Sequence, residues 1–308
     1  MGAGHTHDHG GDAGTDQRRR LLTVLVLTAT VMVVEVVGGI LSGSLALLAD
    51  AAHMLTDVVG LGIAVLAATL ALRPPTARRT WGYRRAEVLG ASLQAGLLLA
   101  VGVLIAVEGV RRLLDPPEVT AGLVLVFGAI GLAVNIAGLV ILARGRAASV
   151  NTRAAFLEVA ADGIGSVAVL VSAAVVLATG WQRADALASF VVVALIVPRT
   201  LSILRETTAV LLEVAPRDLD LDAVRTHLLE QAHVHAVHDL HASEIVSGLP
   251  VLSAHVVIDD TCFLDGHAPR VLDALQTCVA EHFPVPVHHA TFQLEPVSHH
   301  EHERHAHA

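Results

Sequence analysis

The stretch LLADAAHMLTDVVG, residues 47–60, sets Asp50, His53 and Asp57 inside an otherwise apolar run. Its flanks of Leu, Ala and Val read as a helix that spans a bilayer. A charged group at mid-bilayer costs roughly 2.5–3.5 kcal/mol on insertion scales, so acids and histidines inside a span mark function by default. His53 and Asp57 are four residues apart. That spacing places them on one helix face, about 6 Å apart along the axis. Both can reach one cation, and a buried carboxylate that binds metal is relieved of its desolvation cost.

The rest of the chain is built to match. Of 308 residues, 54% are hydrophobic and only 16% charged, too apolar for an ordinary soluble domain. The net charge of -9 argues against a nucleic-acid partner. Six apolar segments, 21–41, 45–72, 88–110, 120–143, 155–179 and 184–204, each approach or exceed the length a bilayer core needs. Pro-Pro pairs at 74–75 and 116–117 follow the second and third, where helices end. The polar opening, MGAGHTHDHGGDAGTDQRRR, reads as a tail rather than a cleavable signal peptide. Arginines give the orientation. Eleven fall in the tail and in the 73–85 and 144–154 loops, against three in the alternate loops (Arg111, Arg112, Arg183). Both termini are therefore expected on the cytoplasmic side of a cell membrane.

From about residue 213 the pattern changes. LDLDAVRTHLLEQA (219–232) has helical periodicity, and AVHDLHASEIV (236–246) and LPVLSAHVVID (249–259) alternate as strands. APRVLDALQTCVAEHF (268–283) is helical again, and PVHHATFQLEPV (286–297) is a third strand. The fold expected is a multi-pass α-helical membrane protein: six transmembrane helices, then a small cytoplasmic α+β domain of order α-β-β-α-β. The domains are a His-containing tail at 1–20, the membrane domain at 21–212, the cytoplasmic domain at 213–297 and a His-rich tail at 298–308. Cys262 and Cys278 fit neither a disulfide framework nor a CxxC zinc site and read as buried thiols.

The fifth span contains FLEVAADGIGSVAVL, where Glu158 and Asp162 repeat the four-residue spacing. Two helices that each offer two such groups can build a tetrahedral site for a divalent cation. Asp50, Asn135 and Gln94 are candidates for interhelical hydrogen bonds, and Glu35 and Glu108 for structural or cavity-lining roles. Asp50 and Asn135 are also candidates for a proton relay or for orienting the ligands. Metal binding needs a neutral imidazole and ionised carboxylates, so metal and protons compete for the same atoms, as an antiporter requires.

The sequence resembles the cation diffusion facilitator family over nearly its whole length. The resemblance rests on GSLALLADAAHMLTDV (43–58), WGYRRAEVLGA (81–91), LEVAADGIGSVAVL (157–170), VHDLHASEIVSGLPVLSAHVVI (237–258) and VHHATFQLE (287–295). It implies a homodimeric secondary transporter that exports zinc and similar divalent ions (Cd²⁺, Co²⁺, Mn²⁺ or Fe²⁺) from the cytoplasm in exchange for protons. The transport ligands it implies are His53, Asp57, Glu158 and Asp162. The family commonly has His where this chain has Glu158, and the harder oxygen donor widens acceptance toward Mn²⁺, Fe²⁺ or Co²⁺. The resemblance also implies regulatory metal, Zn²⁺ foremost, in the cytoplasmic domain, with His238, His255 and His288 the preferred ligands. On regular strands His238 and His241 face opposite ways, as do His288 and Glu295. His5, His7 and His9, and His299, His300, His302, His305 and His307, are expected to capture metal weakly or to be plain solvated tails. Two other readings are a membrane metalloenzyme, for which the chain lacks an HExxH helix, and a metal sensor or accessory protein that does not transport.

Overall fold

The computed structural model describes residues 10–143 and 150–298, so both histidine tails, 1–9 and 299–308, lie outside the described residues. Six long helices come first: α1 (Gly10–Ser42), α2 (Leu45–Ala71), α3 (Arg85–Leu114), α4 (Ala121–Ala143), α5 (Val150–Thr179) and α6 (Arg183–Leu211). Helices α2 to α6 contain stretches long and apolar enough to cross a bilayer, and α1 contributes the apolar segment Val26–Ser42. α1 starts at Gly10, well before the end of the expected tail. The described residues pack as two compact units, one containing those up to Ile63 and those of Leu93–Ile203, the other Ala64–Ser92 and those from Leu204 to 298.

In the first unit, α4 shows how these helices associate. Its buried positions are Ala121, Val124, Gly128, Gly131, Asn135, Gly138 and Leu142, one stripe at steps of three and four. Small residues on that stripe let neighbouring backbones come close, which drives packing where lipid offers no hydrophobic force. A Cβ at Gly131 would overlap Glu35 Oε1, and one at Gly138 would press to 3.2 Å from Val159. The outward side chains Val126, Ile130, Ile136 and Val140 stay exposed, as suits a lipid-facing surface.

The start of α2 is pinned by a buried acid on α6. Asp185 is 2% exposed. It accepts hydrogen bonds from the Ser44 hydroxyl and, at 2.6 Å, from Leu45 N. Ser44 Oγ in turn accepts from Leu47 N at 3.2 Å, so it caps α2. Arg112 donates to Gly43 O at 2.6 Å and to Glu108 Oε1 at 3.1 Å, and lies 4.0 Å from Asp185. Glu108 is thus part of a structural ion-pair network. Asp185→Ala is expected to destabilise the protein by about 3 kcal/mol, because it strips a cap and leaves a largely buried arginine short of a partner. Thermal unfolding in detergent checks this; a melting temperature within a degree of the parent would contradict it.

The second unit holds the α+β domain. Its elements are α7 (Leu221–Leu229), β1 (Val234–Glu244), β2 (Pro250–Ile258), the short α8 (Cys262–Asp265), α9 (Ala268–Glu281) and β3 (His289–Pro296). The sheet order is β1-β2-β3, with β1 antiparallel and β3 parallel to β2. Asp220 caps α7 by accepting from Asp222 N and Ala223 N. One sheet face supplies Val237, Leu240, Ala242, Leu252, Ala254, Val256 and Phe292 to a core shared with Val224 and Leu228 of α7 and Leu275 and Val279 of α9. The other face is polar. The segment before α3 belongs to this unit: Arg85 pairs with Glu213 at 2.7 Å, and the Trp81 ring meets His289 edge-on at 5.4 Å.

Candidate metal centres

The membrane site is built by α2 and α5. His53 Nε2 lies 3.4 Å from Asp57 Oδ2 on its own helix and 3.5 Å from Asp162 Oδ1 on α5. An ion at ordinary tetrahedral bond lengths separates neighbouring donors by about 3.3–3.6 Å. Both separations therefore suit a shared ion, and holding it with all three groups requires the two carboxylates to close around His53. Asp162 is 5% exposed, and neither its Oδ1 nor His53 Nδ1 has a hydrogen-bond partner among the described residues. Buried polar atoms left in this state are rare unless a ligand or proton completes them.

Glu158 behaves differently. It is one turn from Asp162 on α5, 34% exposed, and bound to Arg199 of α6 at 3.2 Å. The structure brings three of the four expected groups together and gives the fourth a guanidinium partner. That partner neutralises Glu158, so a divalent ion among Asp57, Asp162 and a neutral His53 leaves the group with a net charge near zero. Arg199 was hidden in the sequence because it sits inside the sixth apolar segment, just past Pro198. An arginine inside a span seldom lacks an acidic partner, and that was the signal available.

Behind these residues runs a polar chain. Asn135 Nδ2 donates to Ser166 Oγ at 3.2 Å, and Ser166 Oγ donates to Asp50 Oδ2 at 3.4 Å. All three are buried. Ser166 continues the 158, 162 spacing by four and was legible on that ground alone. Gly165 makes room, since a Cβ there would press on Asp50 Oδ1 at 3.1 Å. Glu35 is fully buried, and neither of its carboxyl oxygens has a hydrogen-bond partner among the described residues.

A second candidate centre lies on the polar face of the three-stranded sheet. His238 and His255 are cross-strand partners, with rings 5.1 Å apart. Glu295, only 2% exposed, reaches both: Oε1 is 2.8 Å from His255 Nδ1 and Oε2 is 3.4 Å from His238 Nε2. Donor atoms of His238, Asp239 and His255 all lie within 4.8 Å of one another. His288 is not brought to this group. It precedes β3 and lines a cleft of about 560 Å³ with Trp81, Glu213, His241 and His289. The expected opposition of His238 and His241 is also overturned. A bulge separates their pairings, His238 with His255 and His241 with Ser253, so three residues on β1 face two on β2. The extra residue returns His241 to the His238 face, and Asp239 takes up the bend with φ 47.

Residues 21–212 match the model of the cation efflux transmembrane domain, and residues 216–297 that of the cation efflux protein cytoplasmic domain. The chain belongs to the cation diffusion facilitator family. Among its relatives, the metal cation efflux system protein CzcD of Cupriavidus metallidurans is 39% identical over 295 residues, covering 96% of this chain and 90% of that protein. The zinc transporter ZitB of Escherichia coli is 36% identical over 297 residues, covering 96% and 93%. The cadmium, cobalt and zinc/H(+)-K(+) antiporter of Bacillus subtilis is 32% identical over 298 residues, again covering 96% and 93%. The chain is accordingly a multi-pass membrane protein of a transporter family and not an enzyme.

Proposed function

We propose that this protein exports divalent metal cations, zinc foremost, from the cytoplasm in exchange for protons. The observation that carries the reading is the approach of His53 Nε2 to Asp57 and Asp162 from two membrane helices. Relatives named for zinc, and for cadmium, cobalt and zinc together, support the ion class. Metal enters when His53 is neutral and both aspartates are ionised. Its release leaves buried like charges close together, and protons taken up from the outer side neutralise them. The Asp50–Ser166–Asn135 chain orients α2 against α5 and gives protons a path to that region. Both termini face the cytoplasm, following the arginine bias. The cytoplasmic domain forms the homodimer, a role supported by its family match, and holds regulatory zinc between His238, His255 and Glu295.

Glu158 joins the ion by leaving Arg199, which makes it the selectivity lever. Glu158→His is expected to retain zinc flux and to shift preference toward Zn²⁺ over Mn²⁺ by about tenfold, because imidazole is the softer donor. Glu158→Gln should transport both ions more slowly, since an amide is a poor zinc ligand. Competition flux in proteoliposomes with Zn²⁺, Cd²⁺, Co²⁺, Mn²⁺ and Fe²⁺ decides this. If both variants match the parent in rate and ion preference, Glu158 does not touch the metal.

A further inference from the structure

The cytoplasmic domain carries another cluster, at the opposite end of β1 from its bulged His238–His241 segment. Donor atoms of His233, Asp259 and Cys262 all lie within 4.8 Å of one another. His233 Nδ1 is 2.9 Å from Asp259 Oδ2, and His235 Nε2 is 2.6 Å from the other carboxylate oxygen. We propose that His233, Asp259 and Cys262 form a distinct metal site for borderline-to-soft divalent cations, zinc or cadmium, with His235 orienting the carboxylate.

The backbone holds the three ligands in place. Asp259 N donates to His233 O at 3.1 Å, and Cys262 N donates to Asp259 O at 3.0 Å. His233 has φ 70, a left-handed conformation uncommon for a residue with a side chain. Strain of this kind gathers at ligand clamps, where the surroundings over-determine the backbone. An ion with bonds of about 2.0–2.3 Å needs neighbouring donors about 3.4–3.6 Å apart. Cys262 is buried and fixed by its turn, whereas the His233 side chain is 43% exposed and has room to shift, so that its contact with Asp259 can widen around an ion.

The donor chemistry sets this site apart from the His238–His255–Glu295 group. A thiolate beside an imidazole and a carboxylate favours zinc and cadmium over manganese, and three protein ligands leave a fourth position for solvent. Binding replaces the Cys262 S–H bond with a metal–sulfur bond and releases one proton to solvent. His267 stands next to the cluster, its ring 5.7 Å from that of His233 and its Nδ1 2.7 Å from Asp265. Metal at this site ties the start of β1 to the turn that leads into α9.

The test uses the purified, reduced, chelator-stripped full chain in detergent, titrated with Cd²⁺ while thiolate-to-metal charge-transfer absorption is recorded in the ultraviolet. The parent should develop the band and saturate it at one ion per chain. Cys278→Ser should keep the band and Cys262→Ser should lose it. His233→Ala and Asp259→Asn, changes at more exposed positions, should weaken Cd²⁺ binding at this band by about tenfold or more. No band in the parent, a band that survives Cys262→Ser but not Cys278→Ser, or unchanged affinity in both His233→Ala and Asp259→Asn would overturn the site. None of these changes touches the membrane residues, so zinc flux in the same preparations tests the transport reading separately.

Discussion

Asp162→Ala is expected to bring zinc flux to background, a fall of about 100-fold or more, in a protein that still inserts and dimerises. Asp162 is the most buried of the four candidate ligands, and its Oδ1 faces His53 at 3.5 Å. Glu158, one turn away on α5 and paired with Arg199, would add its own oxygen to the ion and not replace the one lost beside His53. Folding should survive, since removing a buried carboxylate whose Oδ1 has no hydrogen-bond partner among the described residues relieves desolvation as much as it loses contact. Asp57→Ala should behave alike from the α2 side. Flux, oligomer size and melting temperature measured on one preparation separate the outcomes. Near-normal flux from both purified variants would end the case for a site at these residues.

His53→Ala is expected to lower zinc affinity by about 100-fold while lowering manganese affinity by less than tenfold. The imidazole is the one nitrogen donor in the group and the atom that both aspartates approach. Its loss leaves oxygen donors alone, which suit manganese better than zinc. Isothermal titration with each ion reads the two affinities separately. An equal fall for both would mean that His53 shapes the site without binding the ion.

Much of this was legible from periodicity. The spans, the two pairs of groups four residues apart and the α-β-β-α-β order all follow from patterns that one helix face or one strand imposes. Three features were not. The Glu158–Arg199 pair depends on how α5 meets α6, and hydropathy averages over a single arginine. The bulge at Asp239 adds one residue to β1 and so reverses a parity argument that holds only for regular strands. Glu295 replaces His288 as the partner of His238 and His255 because β3 begins at His289, which leaves His288 outside the ladder. In each case the missing information was tertiary: which helix faces which, and where a strand begins.

On the proposed mechanism, zinc leaves by exchange with protons at His53, Asp57 and Asp162. The most direct test loads proteoliposomes of the parent with a pH-sensitive dye and follows zinc entry with a second, zinc-sensitive dye in the same vesicles. An imposed proton gradient should drive zinc the opposite way, zinc added without a gradient should move protons outward as it enters, and Asp162→Ala vesicles should show neither signal. Zinc entering at full rate with no proton movement, or a coupled signal undiminished in Asp162→Ala, would contradict it.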